Sequence, residues 1–130
     1  MQAGWARPAT MRFPGIALDD KYALERGRVF LTGVQALARL PILQRQRDAA
    51  AGLDTHGYVS GYRGSPLGGL DLALRDAGRF LHAYRSRFQP GVNGELGVAA
   101  IWGTQQLHLF PEPQCAGIFA MWYGKGPGVD

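Results

Sequence analysis

Apolar positions recur at helical intervals over two stretches of the chain and run together over a third. Phe30, Leu31, Val34, Leu37 and Ala38 are three or four residues apart and predict one face of a helix running to Leu40. Pro41 predicts a kink or restart there, because proline disfavours helical geometry in the residue before it yet suits a first turn. The helix then resumes to Ala51, with Gly52 as its C-terminal cap. Leu67, Leu70, Leu74, Ala77, Leu81 and Tyr84 are spaced 3, 4, 3, 4 and 3 apart, the clearest helical stripe, and its role is core packing. Between these stretches, residues 57–62 read as a strand that runs into the turn Arg63-Gly64-Ser65-Pro66 and Gly68-Gly69. Residues 87–90 form a second short strand, and Asn93 caps a helix over about 94–109. Val98, Ile101, Trp102, Leu107 and Leu109 surround that helix, which predicts that it is buried. Residues 117–122 are a continuous apolar run of strand length, followed by the loop Tyr123-Gly124-Lys125-Gly126-Pro127-Gly128.

Strands alternating with helices predict an α/β fold: a parallel sheet with helices on both faces and ligands at the carboxyl ends of the strands. Both glycine-rich turns fall at such ends. Residues 1–17, with two prolines, two glycines and no sustained apolar period, predict a flexible tail before a folded part over 18–130.

Composition narrows the possibilities. A chain of 130 residues is one domain or part of one, and 46% hydrophobic residues exclude general disorder. The single cysteine, Cys115, excludes an internal disulfide framework, a cysteine-ligated iron–sulfur cluster and a four-cysteine zinc site within the chain. The net charge of +4 is concentrated in residues 1–50, where eight basic residues face four acids. Arg39, Arg45 and Arg47 there form a solvated face, not a nucleic-acid patch, since no aromatic residues interleave them. The chain has no apolar run of membrane-spanning length and no signal core, so no membrane partner and a cytoplasmic location are expected.

Several motifs carry candidate chemistry. The loop from Gly124 departs from nucleotide fingerprints: Val129 stands where the Rossmann pattern needs glycine, and Gly126 where a P-loop needs Ser or Thr. Its glycines still leave backbone amides open to a cofactor. His56, His82 and His108 fall on different elements and read as structural or surface residues, and Cys115 as a small buried one. The turn at Arg63 and Ser65 combines a guanidinium, a hydroxyl and exposed amides, a combination that suits a carboxylate. Glu95 lies in a first helical turn, where the helix dipole favours an acid with or without a functional role.

Ordered blocks then point to a family. Residues 18–22 and 31–33, Leu40-Pro41 with 44–48, Ser60-Gly61-Tyr62-Arg63-Gly64-Ser65-Pro66-Leu67-Gly68-Gly69-Leu70-Asp71, Trp102-Gly103-Thr104-Gln105-Gln106 and residues 121–130 resemble the amino-terminal segment of the fused, bacterial-type indolepyruvate ferredoxin oxidoreductases. The resemblance covers residues 18–130. It implies the amino-terminal part of a pyrimidine-binding domain, truncated at its C-terminal end. The parent enzyme would use thiamine diphosphate with Mg2+ to decarboxylate aryl 2-oxoacids oxidatively, forming acyl-CoA from CoA and reducing ferredoxin. The diphosphate and metal site and the iron–sulfur clusters belong to the remaining domains of that enzyme, so the chain alone is expected to be inactive.

The resemblance also assigns residues. Arg63 and Ser65 match the region near the substrate carboxylate, and Tyr123, Gly124, Lys125 and Gly126 match a loop near the cofactor. The acid that bonds the cofactor's aminopyrimidine ring falls on Gly94, with Glu95 next to it. Either the helix start shifts so that Glu95 serves, or the acid is lost. Two other readings stand beside this one: a non-catalytic interaction module that pairs with a full-length homologue, and a nucleotide-binding regulatory domain.

Overall fold

A computed structural model describes residues 15–64 and 67–128. Most of the tail expected over residues 1–17, and Ser65, therefore lie outside the described residues. The elements run α1 (Asp20–Ala23), α2 (Gly33–Ala50), β1 (Thr55–Gly61), α3 (Gly68–Asp76), α4 (Gly78–Ala83), β2 (Ser86–Phe88), α5 (Gly94–Thr104) and β3 (Gly117–Tyr123), with short 3-10 turns at Leu107–Leu109 and Gly126–Gly128. The three strands form one sheet in the order β2-β1-β3, parallel throughout, which is the α/β architecture expected.

The register divides the sheet's side chains between its two faces. Val59 is level with Phe88 and Met121, and Gly61 with Tyr123. This face carries the core, in which Ile42 of α2, Leu70 and Leu74 of α3 and Leu81 of α4 are fully buried around Val59. Ser60 and Trp122 point the other way, towards α5, whose Gly97 leaves just enough room for them. Helices thus cover both faces.

Some boundaries differ from expectation. The helix after Phe30 starts only at Gly33, and Phe30 itself is 98% exposed. A capping box sets this start: Thr32 Oγ1 accepts the Gln35 amide at 3.2 Å, and Gln35 Oε1 accepts the Thr32 amide at 2.9 Å. Pro41 lies inside α2 without ending it; burial of its ring and of Ile42 offsets the backbone hydrogen bond that proline cannot donate. Gly52 takes the left-handed φ of +76° expected of a C-terminal cap. The stripe from Leu70 to Leu81 faces the core as expected, but it is shared between α3 and α4, which meet at Ala77.

Two expectations are corrected. The helix after Asn93 ends at Thr104 and is largely exposed: only Gly94 and Gly97 are buried, while Trp102 is 68% exposed. The sheet covers one side of α5, and its other apolar residues face outward. The arginines of α2 are not simply a solvated face either. Arg39 donates to the backbone oxygens of Lys21 (2.6 Å) and Leu24 (2.5 Å), tying down the end of α1. Arg45 pairs with Asp54 at 3.1 Å, with its side chain mostly covered.

Candidate functional site

The parallel register places the loops after β1 and β3 side by side, because Gly61 and Tyr123, the last residues of the two strands, are partners. The chain after β2 joins them. Gln89 donates its amide to the Val59 carbonyl at 2.9 Å, Gly91 donates to Gly61 at 2.9 Å, and Tyr62 bridges to Gly91. That tether delivers Asn93, whose Oδ1 accepts the Leu96 amide at 2.8 Å and starts α5 at the carboxyl end of the sheet.

Glycines permit this convergence. A Cβ on Gly61 would collide with the Tyr123 carbonyl, and one on Gly91 would lie 2.8 Å from the Asn93 oxygen. A Cβ on Gly124 would strike the Trp122 ring. Gly97 is less constrained, with Ser60 Oγ at 3.3 Å and Trp122 Nε1 at 3.4 Å from a Cβ. Trp122 Nε1 donates to the Gly94 carbonyl at 3.3 Å, pinning the first turn of α5 against β3.

Around this junction stand most of the residues expected from the sequence. Arg63 is exposed on the turn after β1, and Lys125 is exposed on the loop after β3, so two cationic side chains project from adjacent strand ends. Gly124 and Gly126 flank Lys125. Backbone amides and two cations suit an anionic group, such as a carboxylate or phosphate. Gly94 is buried at the start of α5. Glu95 is exposed in the same turn and has no side-chain partner among the described residues.

Tyr123 is placed differently from its neighbours. It is the last residue of β3, not part of the loop, and its side chain enters the core. Its hydroxyl donates to Asp71 Oδ1 at 3.3 Å, and Asp71 Oδ2 accepts Arg75 Nε at 2.7 Å. Burial foremost, with the Asp71 charge and hydrogen bond in support, pushes the Tyr123 hydroxyl up to about 12, while Arg75 acts in the opposite direction. Arg75's own hydrogen bond to Asp71, and then the Asp71 charge, raises its guanidinium.

Asp71 is wholly buried. Its spacing of four from Arg75 on one helix was a readable signal; its bond to Tyr123, 52 residues away, was not. Ser60 and Trp122 were likewise visible only as strand residues.

The residues present do not supply the carboxylate that a thiamine cofactor's aminopyrimidine ring requires. Position 94 has no side chain, its carbonyl is engaged by Trp122, and Glu95 faces outward. Among the described residues, no three His, Cys, Asp or Glu side chains gather as a metal site would need. No helix among them is long and apolar enough to cross a membrane. No family model matches the chain, and no curated protein or solved structure compared with it does so.

Proposed function

We propose that the chain is the pyrimidine-side section of a protein of the indolepyruvate ferredoxin oxidoreductase type, with glycine in place of the activating acid. The observation that supports this reading best is the meeting of three segments at one end of a parallel sheet. These are the Arg63 turn, the Lys125 loop and the glycine-bearing start of α5. Such a junction is where α/β sheets bind ligands. In this reading Arg63 and Ser65 face the carboxylate of a 2-oxoacid, and Gly124, Lys125 and Gly126 border the cofactor. Thiamine diphosphate with Mg2+, CoA, the iron–sulfur clusters and ferredoxin engage the remaining domains.

The test mixes the chain with a family enzyme from which the corresponding segment has been removed. Indolepyruvate, CoA, thiamine diphosphate, Mg2+ and a dye acceptor complete the assay. Weak dye reduction by the mixture, raised by Gly94→Glu, is the expected outcome. If the two proteins do not associate, the reading fails.

A second reading, a non-catalytic module that pairs with a full-length homologue, is favoured by the exposed Leu96, Trp102, Leu109 and Phe110. It predicts association in the same mixture with no turnover for either the native chain or Gly94→Glu.

A further inference from the structure

A cleft of about 810 Å3 opens along the outer edge of β2, at the amino ends of the strands. His56 near the start of β1, Ser86 at the start of β2 and Gln114 before β3 all line it, so it lies at the opposite end of the sheet from Arg63 and Lys125. Its volume falls within the range of small-molecule sites, roughly 300–1,000 Å3.

The lining is cationic. Arg75, Arg85, Arg87, His56 and His82 contribute to it, and no carboxylate does. Arg75 is held by Asp71, and Asp54 is shared between Arg85 at 2.6 Å and Arg45 at 3.1 Å. Of the cleft's three arginines, Arg75 is therefore paired and Arg85 shares its carboxylate with Arg45, which lies outside the cleft. Arg87 has no ion pair among the described residues and is exposed. Its register with Tyr58 puts it on the same face of the sheet as His56.

The backbone adds donors. Gly57 donates to the Arg85 carbonyl at 3.0 Å and Gln89 donates to Val59, so these residues turn towards β1. Ser86 and Phe88, alternating with them, turn their amides to the open edge. Arg85 enters the strand with φ of +52°, a left-handed conformation that is strained for a residue with a Cβ. Phe88, half-buried at the end of β2, provides an apolar wall.

We propose that this cleft binds a small organic phosphate with a planar apolar body. The phosphate sits at Arg87 and Arg85, where guanidiniums and edge amides can both donate to it, and the body lies against the half-buried Phe88. The three terminal oxygens of a phosphate monoester match the two guanidiniums and the edge amides better than the two of a carboxylate. This proposal does not depend on the function proposed for the opposite end of the sheet.

Phenyl phosphate, titrated into the full chain and followed by calorimetry, tests it. Saturable binding is expected, tighter than that of inorganic phosphate or phenylacetate, and weakened roughly tenfold or more by Arg87→Glu. The far-ultraviolet circular dichroism and melting temperature of Arg87→Glu should match the native chain, and Arg28→Glu, at an exposed arginine outside the cleft, should bind as the native chain does. Four results would overturn the proposal. They are no saturable binding through the millimolar range, undiminished binding by Arg87→Glu, phenylacetate or inorganic phosphate binding as tightly as phenyl phosphate, and tighter binding of a short oligonucleotide at the same residues.

Discussion

Tyr123 shows how a single side chain can be displaced from the role its neighbours suggest. It adjoins a glycine-rich loop, yet its phenol is committed to the buried Asp71. Replacing it by Phe leaves Asp71 Oδ1 without that donor and should lower stability by about 1–3 kcal/mol at neutral pH, read from urea unfolding. The alkaline side gives a second test. Tyr123 holds its proton to about 12 in the fold, against about 10 for a free tyrosine. Its contribution is complete below pH ~10, where both states are protonated. It is lost as pH rises towards 12, because the unfolded chain releases the proton first. At about 1.4 kcal/mol per pH unit that contribution is on the order of 2–3 kcal/mol. The melting temperature of the native protein should fall more steeply between pH 10 and 12 than that of Tyr123→Phe; parallel curves would refute this. The glycines offer a sharper contrast. Gly61→Ala drives a Cβ into a backbone carbonyl and should cost about 1–3 kcal/mol, whereas Gly97→Ala meets only neighbours beyond 3.2 Å and should cost far less. The sequence displays both glycines but not which one a neighbouring strand presses against, since that depends on register across 62 positions.

At the level of elements, the start and stop of α2 were partly readable and partly missed. Periodicity alone carried the helix back to Phe30, whereas the Thr32 and Gln35 pair, a local start signal, marks the boundary that the structure adopts. Thr32→Ala should cost about 1 kcal/mol and Thr32→Ser less. Gly52→Ala, placed at φ of +76°, should cost about 1–2 kcal/mol, both measurable by thermal unfolding. The stripe from Leu70 to Leu81 was legible because burial repeats with the helical period, and it survives the break at Ala77. The exposure of α5 was not legible. Apolar residues on every side of a helix announce burial only if something covers every side, and here only Gly94 and Gly97 are fully buried.

For the whole molecule, the alternation of strands and helices was enough to predict a parallel sheet with two covered faces. Which strand is central, and the cationic cleft beside β2, follow from long-range pairing that no local pattern encodes. The outer edge of β3 has no strand partner among the described residues, and α5 exposes Leu96 and Trp102 beside the sheet. Light scattering at micromolar concentration should therefore show association that grows with concentration, and a clean cooperative monomer would contradict it. The purified chain, given indolepyruvate and every cofactor, should show no dye reduction above the protein-free background. The strand order has a further consequence, in time. Every ladder passes through β1, and β2 does not pair with β3. During synthesis β1 can pair with β2 early, but its other flank waits until Gly117–Tyr123 emerges, 62 positions after its partner Thr55–Gly61. Loop closure over that distance precedes any gain from pairing, so folding should be slow and should finish late. A nascent chain stalled before residue 117 would display β1 as bare edge, which makes the interval between the second and third strands the one in which a chaperone has the most to protect.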